Sequence, residues 1–470
     1  MAEAPARPAA SLLWAGHAWL PGGWREGVVL RIGSDGRWAE VTPGVGVAPP
    51  GSDVLAGPVL PGMVDAHSHA FQRAFAGLAE RRETAAADDF WSWRERMYEV
   101  ALRITPEQLR AVAAHLYVEL LRGGYTQVCE FHYLQHRPDG GAYADPLAMA
   151  WSVVDAAADA GLGLTMLPVL YERAGFAAPA LRLEQRRFAA SAEDVWRLHA
   201  ALAGSGRPLV DAGVAIHSLR AAAPASIAAL QRHAEGFAGP IHIHVAEQRA
   251  EVDDCLAATG ARPIEWLAGE GRLDARWQLV HVTHATSAEI EAVARSGAGV
   301  VLCPTTEANL GDGMCDLEGW LGAGVPLAIG SDSHITRAWA EELRCLEYGQ
   351  RLMLHRRNVG AAPDLGRPST AERLFERALQ GGAAAAGEAS RGLVAGARAD
   401  ALVIDRDDAS LLGIETGRLL DALVFSSPGR PWRDVMVAGR WVIAGHRHPH
   451  AERIAARFTA AMAALHGEAR

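Results

Sequence analysis

Eight short apolar runs recur between residues 59 and 330, each continuous rather than alternating and each followed by a longer Ala-, Leu- and Arg-rich stretch. They fall at 59–66, 126–131, 163–170, 211–216, 240–245, 277–282, 298–303 and 326–330. A strand buried on both faces reads as an unbroken apolar run, and the stretches between have helical character. Eight β-then-α units predict a parallel (β/α)8 barrel. A doubly wound open sheet is the competing arrangement, but no Gly-x-Gly-x-x-Gly follows the first run.

A chain of 470 residues exceeds the usual size of one core, so a second, smaller domain is expected. Apolar segments broken by Gly and Pro at 11–15 and 27–32, and again at 400–405, 421–425 and 434–443, read as β-strands. Chain ends often lie close together, which predicts one small β domain built from both termini. The expected division is 1–58 for its N-terminal part, 59–390 for the barrel, and 391–470 for its C-terminal part with a final helix. That helix, 451–465, puts Ile454, Phe458, Met462 and Leu465 on one face, to dock on the chain or on a second subunit.

In such a barrel, chemistry sits at the C-terminal ends of the strands. Polar residues cluster there: His67 and His69 after the first run, His132 and Tyr133 after the second, Tyr171 and Glu172 after the third, His217 and Arg220 after the fourth. His244 and Glu247, His281 and His284, Thr305, Thr306 and Asn309, and Asp332 and His334 close the remaining four. Residues i and i+2 of an extended segment point the same way, so His67 and His69 can share a metal ion. His446-Arg447-His448-Pro449-His450 repeats that spacing in a polar tract without a carboxylate, and is expected to be a solvated turn. Zinc and similar ions take imidazole and carboxylate ligands with one position left for water, which selects His67, His69, His244 and Asp332. His242 shares the facing of His244 but lies deeper, as a core histidine would. Asp332, in Gly330-Ser331-Asp332-Ser333-His334, has a cap or Asx turn as its other possible role.

The net charge of −10 and the lack of a basic run argue against a nucleic-acid surface, so an anionic ligand must be held by locally placed arginines. No run approaches 18 apolar residues, and the first residues lack the pattern of a secretory signal. Five scattered cysteines without a Cys-x-x-Cys pair suit a reducing cytoplasm and small core positions.

Pro61-Gly62-Met63-Val64-Asp65-Ala66-His67-Ser68-His69, a His after the fifth run, another after the sixth, and Ser331-Asp332 after the eighth resemble the amidohydrolase superfamily over nearly the whole chain. The resemblance implies a metal-dependent hydrolase barrel flanked by a β-sandwich made from both termini. No lysine follows the fourth run, which implies the mononuclear deaminase branch, and His244-Val245-Ala246-Glu247 is similar to its His-x-x-Glu. His67 to Ala74, Phe90-Trp91-Ser92-Trp93-Arg94, Glu130-Phe131-His132-Tyr133 and His217-Ser218-Leu219-Arg220 are similar to members that deiminate N-formimino-L-glutamate in histidine degradation. That likeness implies N-formyl-L-glutamate and ammonia as products, one zinc ion per subunit, and a homodimer. By the same likeness Arg220 with His217 takes the α-carboxylate, Arg94 with Tyr133 the distal one, and Gln72 the formimino group.

The chemistry is coherent on its own terms. A metal ion lowers the pKa of its water from about 15.7 to about 7, and attack on an amidine-like carbon leaves a carbon bearing two nitrogens. Ammonia departs only when its nitrogen is protonated, a task for Glu247, while His281 and Asp332 orient or deprotonate the water. Arginine's planar fork suits each carboxylate. Arg94 belongs to an excursion after the first run whose aromatics could close a lid, whereas Arg73, Arg81 and Arg82 are expected to be surface charges. A deaminase of an aminopurine or other cyclic amidine would use the same metal and acid in a flat apolar pocket, and two strand-end arginines favour the dicarboxylate instead. A barrel without chemistry is at odds with the intact ligand set.

Overall fold

Parallel pairing in chain order organises the larger part of the computed structural model, which describes residues 7–8, 11–82, 89–269 and 271–467. Its strands are Met63–Ser68, Tyr125–His132, Gly163–Leu170, Val214–Ile216, Ile241–Val245, Trp277–His281, Gly299–Leu302 and Leu327–Ile329. Beyond the last of them the chain returns to the first: Ser68 pairs with Asp332, the Asp332 N–H donates to the His67 carbonyl at 2.9 Å, and the His69 N–H donates to the Asp332 carbonyl at 3.3 Å. The (β/α)8 barrel is thus closed at the ends of strands one and eight.

Two of the eight runs differ from the reading above. Val59–Leu60 is not a barrel strand. It joins the other sheet, antiparallel to Ala401–Ile404, and Pro61-Gly62 is the crossing point. Gly62 is required there, since a Cβ would lie 2.3 Å from Thr126 Oγ1. The fourth run is split at Gly213, with Val210–Ala212 pairing only with the third strand.

Helix Thr370–Ala386 packs directly on the barrel, where a Cβ on Gly381 would lie 2.1 Å from the Leu327 carbonyl. The Ala385 carbonyl near its end accepts from His242 Nε2 at 2.9 Å, so His242 is a core histidine with its partner inside the fold.

The strands of the second sheet run in the order 7–8, 440–443, 432–437, 401–404, 59–60, 12–20, 23–32, 38–42. Strand alternation sorts its side chains. Val59, Ala401 and Val403 enter a small core with Leu13, Leu30 and Trp38, while Leu60, Leu402 and Ile404 pack into the barrel's core. Asp421–Phe425, read as a strand, is instead part of helix Leu419–Phe425. A five-residue apolar run suits either state, and tertiary contacts decide: the Arg344 guanidinium donates to the carbonyls of Leu423, Val424 and Ser427 at the helix end.

The tail helix Ala451–His466 docks on its own chain. Phe458 stacks on His115 with ring centroids 4.2 Å apart, and His466 Nε2 bonds the Ala74 carbonyl at 2.9 Å. The histidine tract before it is not simply a solvated turn. His446 is exposed and pairs with Asp405, whereas His448 is buried and donates to the Ala160 carbonyl at 2.8 Å. Arg73 is likewise not a free surface charge, since it binds Glu119 at 2.9 Å in a largely buried pair. No helix among the described residues is long and apolar enough to cross a membrane. Residues 1–6 and 9–10 of the expected β domain and signal reading, and 83–88 of the excursion after the first strand, lie outside the described residues.

Candidate active site

The end of the first strand places His67 and His69 side by side, their Nε2 atoms 3.1 Å apart. His244, from the end of the fifth, brings its Nε2 to 2.9 Å from that of His67. Asp332 Oδ1 lies 3.6 Å from His67 Nε2 and 3.3 Å from His69 Nε2. Four ligands at 2.0–2.1 Å from a tetrahedral ion would be about 3.3 Å apart, so the spacing suits one divalent cation.

The protonation states suit it too. Burial holds His67 and His244 well below the usual imidazole range and His69 down at about 3, so all three are neutral with lone pairs to give. His69 Nδ1 lies 3.0 Å from the Phe131 carbonyl, which fixes the proton there and leaves Nε2 free to ligate. Burial pushes the Asp332 carboxyl up to about 7, a cost that a nearby cation would offset.

His281, on the sixth strand, faces this cluster with Nε2 3.9 Å from Asp332 Oδ2 and 3.7 Å from Glu247 Oε1. Burial works against its cation, but the charge on Glu247, the hydrogen bond to Glu307 and the charge on Asp332 together raise it to about 10. A divalent cation held by the neighbouring ligands would oppose that second proton and free Nε2. The backbone is strained here: Ala246, His281 and Asp332 have φ of 52°, 73° and 47°. Non-glycine residues in that region cost about 1–3 kcal/mol each and concentrate where geometry is dictated by chemistry.

One cavity gathers the rest. Its walls include His69, Gln72, Arg94, Tyr133, His217, Arg220, His244, Glu247, His281 and Asp332, and His67 lies directly behind. Every residue singled out as a site candidate is therefore brought together. The strand-end residues His132, Glu172, His284, Thr305, Thr306, Asn309 and His334 do not line it.

Gln72 Nε2 donates to the Tyr133 hydroxyl at 3.2 Å, while its Oε1 is buried and unpartnered. Arg94 comes from helix Phe90–Ala101, which Asp89 caps by accepting from the Trp91 and Ser92 amides. Its guanidinium lies 4.5 Å from the Trp91 ring centroid, and that of Arg220 lies 5.4 Å from the same ring. Among the described residues neither arginine has a carboxylate at ion-pair distance, and the Nε of each is buried without a partner. Burial lowers the Arg94 pKa, and the nearby Arg220 charge adds to the effect. Two guanidiniums without an ion-pair partner, only one of them within reach of a buried carboxyl (Glu251), favour an anionic ligand on their side of the cavity.

Sequence reasoning gives no role to a set of buried carboxyls that hold the strand ends. Asp65 accepts from Ser331 N at 2.8 Å and Ser331 Oγ at 2.6 Å, locking the residue before Asp332. Glu130 accepts from Ser68 Oγ at 2.7 Å and Ala70 N at 2.6 Å, fixing the loop that carries His69. Glu251 accepts from the amides of Ala246 and Glu247 at 3.1 Å. Asp65 and Glu130 each interrupt or end an apolar run, a carboxyl where both faces should be buried, and that is the signal available in the sequence.

A closed barrel with an imidazole and carboxylate cluster at its strand ends defines a metal-dependent hydrolase. Residues 59–442 match the amidohydrolase family, and the chain belongs to it. It is 46% identical to the formimidoylglutamate deiminase of Pseudomonas aeruginosa over 97% of this chain and 99% of that one. The crystal structure of an amidohydrolase from Brucella melitensis is 42% identical and superposes with a TM-score of 0.91, covering 97% of this chain and 99% of the other. An adenosine deaminase from Xanthomonas campestris, solved with bound zinc, shares the fold at 23% identity and a TM-score of 0.80, with 98% and 100% covered.

Proposed function

We propose that this amidohydrolase converts N-formimino-L-glutamate and water to N-formyl-L-glutamate and ammonia. The observation that carries the reading is the pair Arg94 and Arg220, two guanidiniums without an ion-pair partner among the described residues, in the cavity that also contains the histidine and aspartate cluster. A substrate with two carboxylates and one hydrolysable amidine answers both halves of that cavity. The 46% identity to a formimidoylglutamate deiminase over almost the full length supports the same substrate.

His67, His69, His244 and Asp332 would hold one zinc ion per subunit, which when bound supplies Lewis acidity and a water of lowered pKa. Arg220 and His217 bind the α-carboxylate, and Arg94 and Tyr133 the distal one, each guanidinium offering a pair of parallel N–H donors. With both ends anchored, Gln72 meets the formimino group with its buried Oε1. Asp332 and His281 take the proton released as water adds to the formimino carbon. Glu247, whose carboxylate is 3.7 Å from His281 Nε2, delivers a proton to the terminal nitrogen. Protonating that nitrogen, not the one joined to glutamate, makes ammonia the leaving group and leaves the formyl group behind. The free cysteines support a reducing, cytoplasmic setting.

The test is ammonia release by the zinc-loaded protein from N-formimino-L-glutamate, with the organic product identified by NMR and with guanine and adenosine assayed alongside. N-formylglutamate is the expected product. Turnover of a base without turnover of the formimino compound would overturn the roles of Arg94, Tyr133 and Arg220 while leaving the metal site standing.

A further inference from the structure

His281 has two ring nitrogens with different surroundings. Nε2 faces Glu247 and Asp332, and Nδ1 points away from the cavity to Glu307 Oε1 at 3.3 Å. Glu307 is almost completely buried, in the short helix Pro304–Leu310 that follows the seventh strand. The same oxygen accepts from the Cys303 amide at 2.8 Å, so it is held from the backbone before it meets the imidazole. His281, Cys303 and Glu307 lie close enough to resemble a second metal group, but these hydrogen bonds already account for the arrangement.

We propose that Glu307 is a positioning residue for the hydrolytic reaction, holding the His281 proton on Nδ1 so that Nε2 is turned to the reacting groups. The tautomer and the ring orientation follow from one contact, because a carboxylate can only accept and the nitrogen facing it must donate. This rests on the reading that His281 acts in the reaction. The bland alternative is a helix-capping glutamate whose work ends at the Cys303 amide.

Glu307→Gln separates the two, since the amide oxygen still caps Cys303 but no longer carries the charge that fixes the imidazole. We expect zinc content and thermal midpoint close to wild type, KM for N-formimino-L-glutamate within threefold, and kcat lower by about 10- to 100-fold. An independent readout needs no substrate. The Nδ1 proton of His281, identified in 15N-histidine-labelled protein by its loss in His281→Asn, should resonate far downfield and move upfield in Glu307→Gln. Unchanged kcat and an unmoved proton would overturn the proposal. So would collapse of folding or of zinc content in Glu307→Gln, which would make the residue structural. If wild-type protein proves inactive on the formimino compound, the functional reading fails, and the proton shift still decides the contact.

Discussion

Arg94 and Arg220 lean on one indole, with guanidinium carbons 4.5 and 5.4 Å from the centre of the Trp91 ring. The first arginine belongs to a helix after strand one and the second to the loop after strand four, so Trp91 couples two elements far apart in sequence. Arg220→Ala should raise KM for N-formimino-L-glutamate by about 30- to 150-fold, the loss of about 2–3 kcal/mol in charge-assisted hydrogen bonds. A steady-state KM no different from wild type would remove the carboxylate from that position.

Trp91 sets where those cations sit without lining the cavity itself. Trp91→Leu keeps bulk and removes the π face, and each cation–π contact is worth about 0.5–2 kcal/mol. KM should rise roughly three- to tenfold with kcat nearly unchanged. A fall in kcat at constant KM would point to a different role for the helix.

The neutral imidazoles of His67, His69 and His244 converge without protons to separate them, an arrangement that a cation stabilises. Dialysis against a chelator should lower the thermal midpoint, and one equivalent of zinc should restore it. An ion held at 1,000 times its Kd contributes about 4 kcal/mol. His244→Ala should bind zinc far more weakly, and stoichiometric zinc retained in that variant would exclude His244 from the ligand set.

Burial lowers His448 to about 4 while its Nε2 donates to Ala160, far from the cavity. The sign follows from the depressed value. Between an unfolded-state pKa near 6.5 and about 4, the unfolded chain binds more protons at this site than the folded one, so stability is complete above pH 6.5 and is lost as pH falls. His448→Gln can still donate to Ala160 but takes up no proton. Its thermal midpoint should fall less steeply than that of wild type between pH 6.5 and 4, a relative gain of up to about 3 kcal/mol. Parallel curves would show that His448 does not titrate on unfolding.

Much of this architecture was legible because burial on both faces leaves a simple mark: continuous apolar runs with a histidine or aspartate at their ends. His67, His69, His244 and Asp332 were found by that logic, and the structure brings them within ligand distance. Val59–Leu60 and Asp421–Phe425 misled for one reason. An apolar run says that a segment is buried but not in which sheet, or whether it is a strand. The carboxyls behind the site were harder still. Glu307 looks like any first-turn glutamate, and only the return of strand six beside it gives His281 a partner.

Asp400 joins the two parts of the molecule. Its carboxylate accepts from Thr126 Oγ1 at 2.7 Å on the barrel, from Arg391 at 2.9 Å, from Arg398 Nη2 at 2.7 Å, and from the Ala438 amide at 2.9 Å on the smaller sheet. Burial opposes its charge, but Arg398 and Arg391 hold its pKa below the usual carboxylate value. Asp400→Asn preserves the shape but leaves Arg391 and Arg398 sharing Glu388, at 3.3 and 3.7 Å, as their remaining carboxylate. The loss should therefore be real but below the about 3–5 kcal/mol of a buried charge left wholly unpaired. The urea midpoint of the variant should fall accordingly. Because Thr126 begins the second strand, at the end of the barrel opposite the cavity, KM and zinc content should stay at wild-type values. The loss should also persist at high salt, since a buried pair is little screened. A variant as stable as wild type would mean that the apolar contacts of Leu60, Leu402 and Ile404, with the bonds from Arg398 to Gln127 and the Thr126 carbonyl, bind the sheet to the barrel without the Asp400 charge.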